Sequence, residues 1–370
     1  MYPEILMITS ILICFTTFYG RRLYRLMASV GIIANPSASK DIRRIVSQGR
    51  VVPDWEKVNI IRRALFGISS TGVHKVIAMP DSAGLCLRAS DDPNLKITVE
   101  TLDMPAYYVE GDTTRAAELM QQNHVGCLLT LGGDGTNRAV VKGSTVIPMV
   151  PISTGTNNVF PSLTEGTLAG IAAGLVAQDI LEISLVSTIS KLLKIDVDGS
   201  FKDLALIDVA LSKERFLASR AIWDLSTLYD VFLTRAEPSS IGLSSIGARL
   251  KPISQQDNQG IRYTLSDDNM NATVKNTTSI LAPIAPGMVT QVDIQSWDTI
   301  DLGARTVLPK RSYTVALDGE RSFTVSAEEE LSIALERNGP PVVNVDAALN
   351  EAAKMGAFTL KTNPKTPPSM

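Results

Sequence analysis

Histidine and cysteine are nearly missing from this chain of 370 residues, which has two of the former, His74 and His124, and three of the latter, Cys14, Cys86 and Cys127. The cysteines stand far apart without paired spacing, so neither a disulfide framework nor a thiolate zinc site is indicated. Two isolated histidines build neither a His-rich metal centre nor a catalytic triad. Charge of one sign is lacking too: 35 Lys and Arg against 38 Asp and Glu leave a formal net charge of −3, with no extended basic run. A nucleic-acid partner needs a basic field, so none is expected. No internal repeat is present.

Long apolar runs are equally scarce. The one candidate, Ile5 to Tyr19, is broken by Thr9, Ser10, Thr16 and Thr17 and followed by Arg21, Arg22 and Arg25. It falls short of the ~20 residues of a membrane-spanning helix, and Glu4 stands where a signal peptide carries positive charge. The expectation is that the native chain starts at Met27 and that residues 1–26 are a non-native extension. A weak membrane anchor is the alternative reading of that segment. No membrane partner is expected, and a cytoplasmic location follows.

What remains is the composition of a globular protein, 45% hydrophobic and 20% charged with 25 Gly and 19 Pro. Its length suits two domains, each with its own core. Val30 to Ala34 reads as a strand ending in the turn Asn35-Pro36-Ser37. Asp54 is placed to cap a helix with Trp55, Val58, Ile61 and Leu65 inward and Arg62 and Arg63 opposite. Strands are expected at Val73 to Met79, Lys96 to Glu100 and Ala106 to Val109, then a helix over Thr113 to Asn123 capped by Asp112. Val125 to Leu131 and Thr145 to Ile152 complete an alternation of strands and helices that predicts a parallel sheet.

After residue 160 the pattern changes. Ser162 to Glu165 fits a capping box for a helix to about Ala177, with Leu168, Ile171, Leu175 and Val176 inward. Beyond it, Leu193, Ile195 and Val197 alternate with polar residues, turn at Gly199, and continue through Leu204 to Leu211. Tyr313, Val315 and Leu317 turn at Asp318-Gly319 into Phe323 and Val325. Such period-two alternation predicts an antiparallel β domain. Residues 235 to 262 read as a long loop or a pair of short strands, and Asp346 to Lys354 as a helix.

The segment richest in chemistry is Gly132-Gly133-Asp134-Gly135-Thr136, where an apolar strand enters three glycines around one carboxylate and then a helix. Glycines let backbone N–H groups approach an anion that any Cβ would hold off, and the helix start points its own at the same place. A carboxylate repels phosphate unless a metal ion or a transferable proton mediates, so Asp134 suggests chemistry beyond binding. Two more polar loops close candidate parallel strands, Asn35-Pro36-Ser37 and Thr154-Gly155-Thr156-Asn157-Asn158. In an open parallel sheet ligands bind at those strand ends. Their amides and hydroxyls suit a nucleotide, although Asn-Pro and Thr-Gly-Thr are also common turn fillers.

These motifs in this order, with a late Asp318-Gly319-Glu320 and a helix start at Gly111-Asp112, resemble the superfamily of NAD kinases and diacylglycerol-type lipid kinases. The chain is most similar to the ATP-NAD-kinase-like branch typified by the acetoin-catabolism protein X, through Ile33 to Ile42, Val150 to Pro161 and Leu317 to Arg321. The resemblance implies an N-terminal parallel-sheet α/β domain over 27–160 and a mostly antiparallel β-sandwich over 161–335. A segment over 336–358 would return to the first domain, and 359–370 would be a disordered tail. It also implies an ATP- and Mg²⁺-dependent kinase acting on a small hydroxyl-bearing acceptor, with NAD leading and NADP biosynthesis as the pathway. By that resemblance Asp134 is the acid/base or hydroxyl-binding carboxylate and Glu320 a second catalytic carboxylate. Asn35, Gly132, Gly133, Gly135, Thr136, Thr154, Gly155, Thr156, Asn157, Asn158 and Asp208 are then the nucleotide contacts. No metal ligand is identifiable, and self-association and the donor, ATP or polyphosphate, stay open. In NAD kinases an Asn-acid pair holds the dinucleotide, whereas Ile207-Asp208 stands here, so an Ile207→Asn change is expected to improve NAD affinity. The alternatives are a nucleotide-sensing protein of a catabolic operon without turnover, and a lipid kinase.

Overall fold

The computed structural model describes residues 28–38, 48–155, 157–213, 225–265 and 278–359. The expectations for residues 1–26, for Thr156 and for the tail from residue 360 lie outside them. An N-terminal α/β domain is followed by antiparallel sheets.

The first sheet contains β1 (Ser29–Ala34), β2 (Lys75–Ala78), β3 (Thr98–Thr101), β4 (Cys127–Gly132) and β5 (Met149–Ser153), with β6 (Ser187–Ile189) and β18 (Pro341–Val343) completing it in the order β3-β2-β1-β4-β5-β18-β6. Strands β1, β4 and β5 are buried along their whole length, as expected where helices cover both faces of a parallel sheet. Only β6 runs antiparallel, against β18. The chain winds from β1 outward to β3 and then crosses to β4 on the other side of β1, so the topological switch lies between β1 and β4. Register sets the level of the loops: Ala34 pairs with Leu131, and Gly132 with Ser153. The Asn35, Gly133 and Thr154 turns therefore leave one sheet edge side by side.

Helices α1 (Asp54–Ser70), α2 (Leu85–Ser90), α3 (Glu110–Gln122), α4 (Asp134–Gly143), α5 (Gly166–Ala177) and α6 (Ile183–Val186) follow the strands. Several details differ from the pattern reading. Pro53 holds the N-cap position of α1 and Asp54 is its first helical residue. Val58, Ile61 and Leu65 are buried but Trp55 is 62% exposed, off the inward stripe. Residues 106–109 form no strand; Tyr108 takes φ 61° and the chain enters α3 directly. Asp112 is the third residue of α3, and its carboxylate reaches back to accept the N–H groups of Tyr107 and Val109. Glu165, not Ser162, caps α5 by accepting the N–H groups of Thr167 and Leu168, and Leu168 faces outward.

Strands β7 (Leu192–Val197), β8 (Ser200–Ala205), β9 (Asp208–Ser212), β10 (Leu228–Leu233), β11 (Gln259–Leu265), β12 (Thr278–Ala285), β13 (Met288–Asp301), β14 (Arg305–Val307), β15 (Tyr313–Leu317), β16 (Glu320–Val325) and β17 (Leu331–Glu336) build two further sheets. A seven-stranded sheet has the order β12-β13-β11-β10-β9-β15-β16, and a four-stranded one β14-β17-β7-β8. Leu193, Ile195, Ile333 and Leu335 of the smaller sheet share one core with Val209, Leu211, Phe232 and Val315 of the larger, which makes the sandwich. The other face of the large sheet is covered by α7 (Leu243–Leu250) through Ile246, inside the stretch expected to be a long loop or a pair of short strands. After β17 the chain returns to the first sheet: Val342 pairs with Met149, and α8 (Val345–Lys354) buries Ala348 and Ala352 in the core beside α5.

A further core spans the junction, joining Val140, Met149 and Phe160 to Leu192, Leu204, Leu206 and Ile207. Ile207 is 1% exposed within it. Among the described residues no helix is long and apolar enough to cross a membrane.

Candidate functional site

The glycine loop is held from behind. Asn137, wholly buried on α4, accepts Thr130 Oγ1 at 2.6 Å and donates Nδ2 to the Gly133 carbonyl at 2.8 Å. Glycine is required for space, because neither Gly132 nor Gly133 has a positive φ. A Cβ on Gly132 would lie 2.6 Å from Thr136 Cβ and Oγ1, and one on Gly133 would lie 2.9 Å from Asn158 Oδ1. This corrects the tight-turn rationale: the backbone is extended at Gly133, and the side chains of Thr136 and Asn158 occupy the room that a Cβ would take.

The other two loops dock on this one. Asn35 Nδ2 donates to Thr136 Oγ1 at 2.9 Å while its Oδ1 accepts the Ser37 N–H. Asn158 Nδ2 donates to Ser153 Oγ at 2.8 Å, and a Cβ on Gly155 would sit 3.0 Å from that same nitrogen. Thr154 is 1% exposed, and its Oγ1 has no hydrogen-bond partner. Lys57, wholly buried on α1, donates to the carbonyls of Pro36 at 2.6 Å, Ala38 at 2.8 Å and Asn35 at 3.3 Å, which fixes the first loop with a cation beneath it.

Asp134 opens α4, where a carboxylate suits the positive end of the helix dipole. Its Oδ1 accepts the N–H groups of Val159 at 3.1 Å and Phe160 at 2.8 Å, and Oδ2 accepts Val159 at 3.1 Å. Asp134 is thus the clasp that holds the second polar loop against the glycine loop. The expected acid/base residue spends both oxygens on backbone amides.

The free carboxylate belongs to Glu320. A Cβ on Gly135 would lie 3.8 Å from Glu320 Cδ and Oε1 and 3.9 Å from Oε2, so Glu320 faces the first turn of α4 across that glycine. No described residue donates a hydrogen bond to it. Two residues earlier, Asp318 explains why it is there. Asp318 turns the hairpin at φ 50° and its side chain is wholly buried. Its oxygens accept the N–H groups of Leu206 at 3.1 Å, Ile207 at 2.7 Å and Asp208 at 3.3 Å, and Oδ2 lies 3.8 Å from Arg138 Nε on α4. Burial, with Asp208 and Asp134 as nearby like charges, pushes the Asp318 carboxyl up, against the pull of Arg138 and the Ile207 amide. Asp208 accepts the Gly319 N–H at 3.1 Å and so braces the turn. Arg138 also reaches Glu110 at 3.3 Å and Asp203 at 3.5 Å.

Arg235, just past β10, completes the junction. Its Nη2 donates to the Val159 carbonyl at 2.7 Å, and the guanidinium lies 5.8 Å from the Phe160 ring. Burial lowers its pKa, opposed by Glu237, Asp134 and Asp318. The structure sets Asn35, Gly132, Gly133, Gly135, Thr136 and Asn158 side by side, with Glu320 across Gly135 and Asp208 bracing its hairpin; Thr156 is outside the described residues. Lys57, Arg138, Arg235 and Asp318 are additions. Arg138 and Asp318 sit inside the motifs themselves, whereas nothing in the local sequence marks Lys57 or Arg235.

Among the described residues no group of three or more His, Cys, Asp or Glu side chains converges as a metal cage. That fits a Mg²⁺ ion carried mainly by nucleotide phosphates, which needs only one or two protein carboxylates.

Residues 30–180 match the ATP-NAD kinase N-terminal domain family, and residues 191–338 match the acetoin catabolism protein X C-terminal domain family. Acetoin catabolism protein X of Cupriavidus necator is 36% identical over 337 residues, covering 88% of this chain and 92% of that protein. Among solved structures, a diacylglycerol kinase from Bacillus anthracis str. Sterne aligns over 85% of this chain and 96% of its own at 13% identity, with a TM-score of 0.41.

Proposed function

The chain belongs to the acetoin catabolism protein X family, and from that premise we propose that it is an ATP-dependent kinase that phosphorylates a hydroxyl group of a small acceptor. The observation that carries this reading is the Glu320 carboxylate, which has no hydrogen-bond donor among the described residues and faces Gly135 at the start of α4. The first amides of a helix have no intrahelical acceptor, and together with the helix dipole they favour an anionic phosphate at that place. Glu320 there is the general base: it takes the proton of the acceptor hydroxyl as that oxygen bonds to the γ-phosphorus of ATP, the bond from that phosphorus to the β,γ-bridging oxygen breaks, and ADP leaves with the bonding electrons. The resulting carboxylic acid returns the proton to solvent after transfer.

Phosphoryl transfer asks the protein mostly for positioning and charge neutralisation. Bound Mg²⁺ supplies part of that neutralisation. Asn35, Thr136 and Asn158 hold the loops in register, and Asp134 fixes the second loop against the first. Lys57 supplies a buried positive charge under the Asn35 turn.

NAD is the leading acceptor because the N-terminal match is to ATP-NAD kinases. Acetoin, a hydroxyketone named in the relative's description, is the second. A sensor without turnover is favoured by one observation, the engagement of both Asp134 oxygens by amides. The test is a panel assay with purified protein, Mg²⁺ and labelled ATP against NAD, NADH, acetoin and diacylglycerol. Transfer of label to a hydroxyl acceptor is expected; nucleotide binding without transfer to any acceptor favours the sensor.

A further inference from the structure

We infer that Arg235 is a positioning residue for Asp134, acting from the antiparallel domain through the Val159–Phe160 peptide; its functional meaning rests on the kinase reading above. Val159 is gripped from both sides. Its N–H donates to Asp134 on α4 at 3.1 Å, and its carbonyl accepts Arg235 Nη2 at 2.7 Å. The next residue, Phe160, gives its N–H to Asp134 at 2.8 Å and lays its ring 5.8 Å from the same guanidinium. One peptide unit thus links a carboxylate of the α/β domain to a cation of the β domain.

Arg235 has the build of a fixed arm. Thr234 before it donates N–H to the Ile207 carbonyl at 2.9 Å and Oγ1 to the Leu206 carbonyl at 2.7 Å. Ala236 after it exchanges both backbone hydrogen bonds with Ile253, at 2.8 and 2.9 Å. The Arg235 carbonyl itself accepts Ser244 Oγ at 3.1 Å. With the backbone held on three sides, the position of the guanidinium is set by the β domain, and Val159 follows it.

The contacts close into a ring. Asp134 holds Val159, Val159 is held by Arg235, and the neighbouring Thr234 is bonded to the 206–207 segment. That segment donates its amides to Asp318, and Asp318 faces Arg138, one turn along α4 from Asp134. Removing Arg235 opens the ring between Val159 and Thr234. The effect expected is a misplaced Asp134 and a loosened second loop, with the nucleotide-facing amides of α4 left as they were.

The experiment uses the full chain with Arg235→Gln and Arg235→Lys, reading residue-resolved amide exchange and labelled-ATP transfer. In Arg235→Gln, exchange at Val159 and Phe160 is expected to rise about tenfold or more, the worth of a charge-assisted hydrogen bond. Ala236 and Ile253 should keep their protection. In an active wild type kcat should fall with KM for ATP nearly unchanged, and Arg235→Lys, which keeps the cation but has no plane to stack on Phe160, should recover part of both. If Arg235→Gln does not fold, Arg235→Lys carries the same reading with a smaller rise. Unchanged exchange at Val159 and Phe160, or an equal rise at Ala236 and Ile253, overturns the assignment. A wild type that transfers no phosphoryl group but gives the expected exchange pattern upholds the positioning assignment and removes the kinase reading alone.

Discussion

Asp318 lies 3.8 Å from Arg138 and takes the backbone N–H groups of Leu206, Ile207 and Asp208, so the hairpin turn that carries Glu320 is tied to the helix that carries Gly135. Deleting the carboxylate leaves buried backbone N–H groups of the 206–208 segment without their acceptor, at a cost of about 1–3 kcal/mol, while Arg138 keeps Glu110 and Asp203. Asp318→Ala should lose stability of that order in urea denaturation, and Asp318→Asn, which keeps one acceptor oxygen, should lose less. A variant with Ala at 318 as stable as the parent would show that the turn is held by other means.

Two glycines of the same loop should respond in opposite ways. A Cβ on Gly132 meets Thr136 at 2.6 Å, so Gly132→Ala must displace Thr136 and with it the Asn35 contact, lowering stability and nucleotide affinity together. A Cβ on Gly135 meets only the Glu320 carboxylate, at an ordinary 3.8 Å. Gly135→Ala should therefore keep or raise the melting temperature, helix propensity favouring Ala by ~1 kcal/mol, while crowding the space before Glu320 and cutting activity. Thermal melts beside nucleotide titrations decide this; loss of stability in Gly135→Ala would mean that the space is structural.

Ile207→Asn should destabilise. The resemblance to NAD kinases suggested that an amide here would improve NAD binding, but Ile207 is packed with Leu206 and Phe160 in the junction core and presents its backbone, through the 2.7 Å bond to Asp318. Losing an aliphatic side chain and burying an unpaired amide together cost about 3 kcal/mol or more. Improved NAD affinity at unchanged stability would refute this placement.

These contrasts separate what local sequence carries from what it does not. The loop levels were legible because an apolar strand ending in glycine or Asn-Pro marks its own end, and the second-half strands because period two is short-range. Trp55 was misplaced because three residues before Val58 lies off the stripe that Ile61, Leu65 and Ile68 continue, and α7 was hidden in a stretch rich in Ser, Gly and Pro. Glu320 could be named from its Asp-Gly-Glu context, but its place before Gly135 follows from Asp318 folding back on residues more than a hundred positions earlier. Lys57 and Arg235 act on carbonyls, and any carbonyl can accept, so no residue pattern announces them.

Stability should rise with alkaline pH through Lys191. This wholly buried lysine donates to the carbonyls of Ser254 at 2.9 Å and Gln259 at 2.7 Å. Burial, aided by Arg337, lowers its pKa to about 8. The unfolded chain holds that proton to about pH 10.4. Between these values the unfolded state binds more protons, so unfolding becomes costlier as pH increases. The difference in unfolding free energy between wild type and Lys191→Met should grow in favour of wild type from about pH 7 to about pH 10. A difference flat across that range contradicts the buried, easily deprotonated ammonium.

Single-turnover phosphoryl transfer by Glu320→Gln, measured alongside equilibrium nucleotide binding, decides whether Glu320, and not Asp134, takes the proton of the acceptor. Glutamine keeps the length and the hairpin but cannot accept a proton, and losing a general base typically costs ~10²–10⁴-fold in rate. A loss of that size is expected, with nucleotide affinity within several-fold of wild type. A Glu320→Gln protein that transfers phosphate at more than about a tenth of the wild-type rate would contradict that role for Glu320.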